Sequence, residues 1–149
     1  MTTTVTDSIT FTLPGTPTAK GRPRFFNGRA VTDAKTRAAE QSILAAWLVN
    51  AGDRTPHDGP VEVAVTATFL PAQSWPLWKR QLALDGFWPN VNKPDLDNLI
   101  KVLDGLNGVA WLDDSQITNV GASKKYGSVA GTTVTITFHP APTKPERKS

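Results

Sequence analysis

Between Asp95 and Asp114 the chain places five aspartates, Asp95, Asp97, Asp104, Asp113 and Asp114, with one lysine, Lys101, among them. The protein as a whole carries a formal net charge of +3, so this acidity runs against the composition. Crowded carboxylates repel, and taking them out of water is costly unless a cation joins them. Any fold for this chain must therefore keep the group solvated or gather it around a positive charge. Oxygen-only ligands of this kind suit a hard divalent ion, Mg2+ or Mn2+.

The apolar residues of the same stretch set its local structure. Leu96, Leu99, Ile100, Leu103 and Leu106 recur at three- and four-residue spacing, which puts them on one side of a helix at ~100° per residue. Pro94 suits the entry, and Asp95 reads as an N-cap whose side chain accepts from a backbone N–H. Asp97, Lys101 and Asp104 fall together on the opposite side. Asn107-Gly108 supplies the stop. Val109 to Leu112 predicts a short strand ending at Asp113-Asp114, and a strand returning beside the helix would bring one of those carboxylates near Asp95 and Asp97. Taken singly, each feature also belongs to an ordinary amphipathic helix with a capping aspartate, a solvated ion pair and turn residues.

The remaining chain supplies a sheet. Ser8–Leu13, Pro60–Leu70 and Gly131–His139 alternate apolar and polar residues and predict strands. Asn27-Gly28 predicts the turn of a small hairpin over Phe25–Val31. Thr32 or Asp33 can cap a helix to about Asn50, with Ile43, Leu44, Trp47 and Leu48 facing a core and Gly52 ending it. Pro76–Leu84 predicts a short helix, with Ser74 a candidate cap, in a segment where Trp75, Trp78, Phe87 and Trp88 stand beside Lys79, Arg80 and Lys93. Such a segment suits either a hydrophobic flap packed on the core or on a second subunit, or a platform for unpaired bases. Ser115 to Val120 resumes a strand pattern, and Ser123-Lys124-Lys125-Tyr126 reads as a basic turn region. His57 and His139 have no metal-spaced partners, and His57 reads as an exposed loop histidine.

Through Arg37 the chain carries six basic residues, Lys20, Arg22, Arg24, Arg29, Lys35 and Arg37, against two acidic ones, Asp7 and Asp33. That local imbalance suits an arm gripping phosphates. The pI near 9.4 agrees with a polyanionic partner. The chain has 149 residues and no cysteine, which suits one domain without disulfides or thiolate metal sites. The polar Met1–Ser8 lacks the layout of a signal peptide, and no apolar run approaches the ~20 residues that cross a bilayer. The expectation is a cytoplasmic protein with no membrane contact and no organic cofactor. The sequence predicts a domain over residues 1–139 and a disordered basic tail over 140–149.

The string Lys93-Pro94-Asp95-Leu96-Asp97-Asn98-Leu99-Ile100-Lys101, followed by Asp104-Gly105-Leu106-Asn107 and Asp113-Asp114-Ser115-Gln116, resembles the central motif of the RusA family of Holliday junction resolvases. The likeness covers about 25 contiguous residues and nearly every polar position. Lys20-Gly21-Arg22-Pro23-Arg24 also looks like a segment near the start of RusA-like sequences. The resemblance implies an α/β single domain, a mixed β-sheet with helices packed against it, working as a homodimer on four-way DNA junctions. It implies Asp95, Asp97, Lys101 and Asp114 as catalytic residues, with Asp95, Asp97 and Asp114 holding Mg2+ or Mn2+ and Asp113 as a substitute ligand. Lys20, Arg22, Arg24, Arg29, Lys124 and Lys125 would meet the DNA. Two other readings of the same residues are a basic DNA-binding module without catalysis and a metal-dependent hydrolase of small phosphates.

Overall fold

The computed structural model describes residues 7–18, 24–26, 29–31 and 34–145. Its centre is β4, Val61–Phe69, in which Val61, Val63, Val65 and Ala67 alternate with Glu62, Ala64, Thr66 and Thr68. Val61, Val63, Val65 and Ala67 on one face are buried, while Glu62, Thr66 and Thr68 on the other are half-buried. This alternation makes a strand covered on one side only. β6, Gly131–Phe138, pairs antiparallel with β4 and buries Val134, Ile136 and Phe138 on the same face. β1, Asp7–Pro14, pairs antiparallel with the far side of β6. β5, Ile117–Tyr126, runs parallel to β4 at the opposite edge, giving a mixed sheet of order β1-β6-β4-β5.

The helical layer lies over the buried face. α1, Ala34–Ala51, inserts Ile43 and Trp47, one turn apart, and ends at Gly52, whose φ of +64° is the left-handed value a C-terminal stop uses. Trp47 meets the ring of Phe138 at 5.9 Å between centroids. β2, Arg24–Phe26, and β3, Arg29–Val31, form the expected hairpin ahead of α1. α2, Leu77–Leu84, stands between β4 and the acidic stretch, starting after Pro76 with no side-chain cap. α3, Leu96–Ile100, continues into a 3-10 segment, Lys101–Leu106, that packs against α1. Residues 140–145 carry no regular element.

The α/β architecture and order of elements match the sequence reading, and four local expectations are corrected. Leu48, expected in the core beside Ile43 and Trp47, is 52% exposed, because it stands on the outer side of α1. The predicted single helix over 95–106 tightens after Ile100, and the tighter winding buries Val102, Leu103 and Leu106 together. Close approach to α1 requires a glycine here: a Cβ on Gly105 would lie 2.9 Å from the Glu40 carbonyl oxygen and 3.0 Å from Ile43. Val109–Leu112 forms no regular strand: Gly108–Ala110 is a turn, in which Val109 and Ala110 both donate to the Leu106 carbonyl and Gly108 to that of Trp111, and Trp111 pairs only as isolated bridges with His57 and Asn107. The basic stretch Ser123–Tyr126 is strand, because its parallel partner β4 extends to Phe69 and keeps it paired.

Leu106 is fully buried at the junction of α1, the 3-10 segment and the sheet. Leu106→Ala is expected to cost about 2–5 kcal/mol, the range for emptying a core leucine, measured as a lowered urea midpoint with an unchanged slope.

Candidate active site

Asp95 occupies the N-cap position of α3, but its side chain makes no capping hydrogen bond. The capping role expected from sequence is not used, and the exposed carboxylate keeps its oxygens for another partner. Asp97, in the first turn, pairs with Lys101 at 3.2 Å across one helical turn. Both side chains are largely in water, so the pair contributes little to stability. What it fixes is the placement of an ammonium beside a carboxylate.

The turn delivering Asp95 is held from below by β5. Lys124 Nζ donates to the carbonyl oxygens of Asn92 at 2.7 Å and Pro94 at 3.1 Å. Asn92 Nδ2 donates to the Tyr126 hydroxyl at 3.1 Å. Lys124, expected along the DNA path, thus has its ammonium on backbone carbonyls, while Lys125 is exposed. Tyr126 also anchors the aromatic segment through Trp75, 5.4 Å between ring centroids. The Lys79 ammonium lies 4.0 Å from the Trp75 ring centre and 4.7 Å from that of Trp88, whereas Trp78 and Phe87 stay exposed.

The second acidic group is built differently. Asp113 caps a 3-10 turn, Asp114–Gln116: its carboxylate accepts from Ser115 N at 3.0 Å, and Gln116 Oε1 accepts from Asp113 N at 2.8 Å. Gln116 Nε2 donates on to the carbonyls of His57 and Gly59 at 2.8 and 2.9 Å, fixing the turn to the entry of β4. Asp114 Oδ1 accepts from the indole N–H of the fully buried Trp111 at 2.9 Å, with the rest of its exposed carboxylate in water. Capping occupies Asp113, and Trp111 aims Asp114. His57 is half-buried, bonded through Nε2 to the His139 carbonyl at 2.6 Å and edge-on to Phe138. His139, without a visible partner in the sequence, meets Glu62 at 3.0 Å and holds that carboxyl below its ordinary range, with Asn119 helping.

The expected meeting of the two acidic groups does not occur within one chain. Pro94 is tied to Lys124, toward the end of β5, while Asp114 precedes Ile117, the first residue of β5. Ile117 to Lys124 is seven residue steps of extended strand, about 23 Å. The route through α3 and the 3-10 segment agrees: five residues of α-helix and six of 3-10 helix span about 20 Å. Carboxylates sharing a Mg2+ ion must each bring an oxygen to about 2.1 Å from it. Among the described residues, no three His, Cys, Asp or Glu gather in a metal-holding group. In donor chemistry Asp95, Asp97 and Asp114 fit a hard cation, but a single chain splits them between opposite ends of the helical segment.

The sequence pattern of the family described as endodeoxyribonuclease RusA matches residues 14–137. This chain belongs to the RusA family. It is also similar to the uncharacterized protein YqaN of Bacillus subtilis (strain 168), 36% identical over 129 residues, which covers 80% of this chain and 89% of that protein. The matched span of this RusA-family chain takes in both acidic groups and the β2–β3 hairpin. Arg24 and Arg29 sit on paired backbone in that hairpin, and Lys20 and Arg22 lie outside the described residues. Sequence reasoning missed Trp111 as the hydrogen-bond donor to Asp114. The capping box was readable in the Asp113-x-x-Gln116 spacing.

The Ser115 bonds hold the Asp113 carboxyl below the ordinary aspartate range. A depressed folded-state pKa contributes stability that is present above the unfolded value and lost as pH falls through the folded one. Asp113→Asn keeps a capping side chain but cannot titrate. Its urea midpoint is expected to fall less than the wild type's between pH 7 and pH 3, and an equal fall would assign the acid sensitivity elsewhere.

Proposed function

We propose that this RusA-family chain is a metal-dependent endonuclease that resolves four-way DNA junctions by paired nicks, acting as a homodimer. One observation carries the reading: a solvated Asp95–Asp97–Lys101 group and a Trp111-held Asp114 stand at opposite ends of one rigid element. Neither group is a complete site, but a twofold partner running the other way would bring each group to the complementary one. Two identical sites follow, matching the near-twofold symmetry of a four-way junction and the need for nicks in opposing strands.

Asp95, Asp97 and Asp114 would hold the ion, Mg2+ or Mn2+, with Asp113 retained for the cap. The bound ion supplies a Lewis acid for the phosphate oxygens and lowers the pKa of an attacking water. Lys101, kept beside Asp97, provides positive charge where the phosphate and leaving oxygen accumulate negative charge. Trp111 restrains the Asp114 carboxylate, so its geometry is set before substrate arrives. Lys20, Arg22, Arg24, Arg29 and Lys125 would supply phosphate contacts.

The test is incubation with a synthetic four-way junction and Mg2+, with and without EDTA. Wild type is expected to cut only with metal. Asp97→Asn should abolish cutting while binding stays equal or tightens, because a repulsive charge is gone. Lys101→Ala should slow cutting by about a hundredfold or more. Binding without metal-dependent cutting would leave a DNA-binding module, and turnover of free nucleotides in preference to junctions would indicate a small-phosphate hydrolase.

A further inference from the structure

We infer that the segment from Leu70 to Lys93 is a stacking surface for an unpaired DNA base, with Trp78 as the ring that receives it. This rests on the DNA substrate proposed above and names how the site would select a branched one. The segment builds an aromatic cluster of its own. Four rings follow one another outward from β5: Tyr126 and Trp75 at 5.4 Å between centroids, Trp75 and Trp88 at 6.3 Å, Trp88 and Trp78 at 6.2 Å. Trp75 and Trp88 are half-buried, and Trp78, the outermost, is 61% exposed. None of residues 70–93 joins the core that α1, the 3-10 segment and the sheet share, and α2 buries only Ala83. Leu77 and Phe87 are exposed as well. So many large apolar side chains left in water within one short segment mark a binding surface.

Charge selects the occupant. The Lys79 ammonium lies in the middle of the cluster, over the rings of Trp75 and Trp88. A protein partner would shut that ammonium into an apolar interface, and the centres of such interfaces are poor in lysine for this reason. The segment carries Lys79, Arg80 and Lys93 against Asp85, and Asp85 Oδ1 already accepts from Gln81 at 2.9 Å. An unpaired nucleotide suits both features, since its base has an open π face for Trp78 and its phosphates meet the cations. A base inside a duplex offers no such face, because its neighbours in the stack cover it. Position ties the surface to the acidic site. The segment runs into the Asn92–Pro94 turn that carries Asp95, and Tyr126, the innermost ring, accepts from Asn92 Nδ2 at 3.1 Å. The rings and Asp95 are thus mounted on the same end of β5. Strands exchange partners at the crossover of a four-way junction, and a base that is already open there costs least to extrude.

Fluorescence anisotropy tests this, on the full chain in an Asp97→Asn background so that cutting plays no part. The labelled probes are a thymidine oligomer of about twelve nucleotides, its abasic counterpart and a duplex of that length. The parent is expected to bind the thymidine oligomer about tenfold or more tighter than the abasic one. Trp78→Ala should remove that difference and leave abasic and duplex binding within about twofold of the parent, because the phosphate contacts remain. Its thermal melt by circular dichroism should match the parent, since the side chain is largely in water. Trp78→Phe should restore most of the difference, because stacking needs a ring rather than an indole N–H. Equal affinity of the parent for the thymidine and abasic oligomers would overturn the inference. So would a base preference that survives Trp78→Ala, a loss shared by all three probes, or a Trp78→Phe variant that behaves like the alanine one. A Trp78→Ala variant that keeps the base preference but changes its molar mass by light scattering would give the surface to a protein partner instead. Base-dependent binding by a chain whose wild-type form does not cut junctions with Mg2+ would sink the nuclease reading alone and leave the stacking surface standing.

Discussion

α3 and its 3-10 continuation are locked against α1 and the sheet. Leu99, Val102, Leu103 and Leu106 are buried in that contact, each at a cost of a few kcal/mol if truncated. The element is therefore a fixed ruler laid along the sheet. Its beginning carries Asp95 and Asp97, and the turn after it carries Trp111 and Asp114. Because the ruler cannot bend without emptying the core, the distance between the two acidic groups is a property of the fold. Their repulsion is relieved within one chain by that separation.

Each end of the ruler is tied down separately. At the first end, β5 reaches up through Lys124 and Tyr126 to the Asn92–Pro94 turn. At the other, Gln116 joins the acidic turn to the His57–Gly59 loop, and His139 and Glu62 close the same corner. These ties act mostly through backbone carbonyls, so they position chain rather than neutralise carboxylates. They leave Asp95 and Asp97 in water, and Asp114 with one indole bond, in a form suited to meeting a cation and a phosphate.

Much of this was legible in the sequence. Period-two alternation located β1, β4 and β6, and the 3.6-residue stripe located α1 and the helix after Pro94, because those elements bury one face and the pattern records it. The Asp97–Lys101 pair followed from spacing alone. The turn at 108–110 and the strand at 123–126 were not legible. In the first, an apolar run looks the same whether it pairs or folds on itself. In the second, basic residues gave no sign that a parallel neighbour would keep them in the sheet. The sequence also hid which aspartate is free: Asp95 looked like a cap and is not one, while Asp113 is. Above all, proximity along the chain suggested proximity in space for the two acidic groups, whereas the rigid element between them keeps them apart.

The proposed working site takes Asp95 and Asp97 from one chain and Asp114 from the other. Its most direct measurement mixes Asp97→Asn with Asp114→Asn and follows junction nicking with Mg2+. Every mixed dimer then contains one site with all its aspartates and one with neither Asp97 nor Asp114. Neither variant is expected to cut alone, and the mixture is expected to nick one strand per junction. A mixture that stays inert, although mass spectrometry of the intact protein shows that mixed dimers have formed, would contradict it.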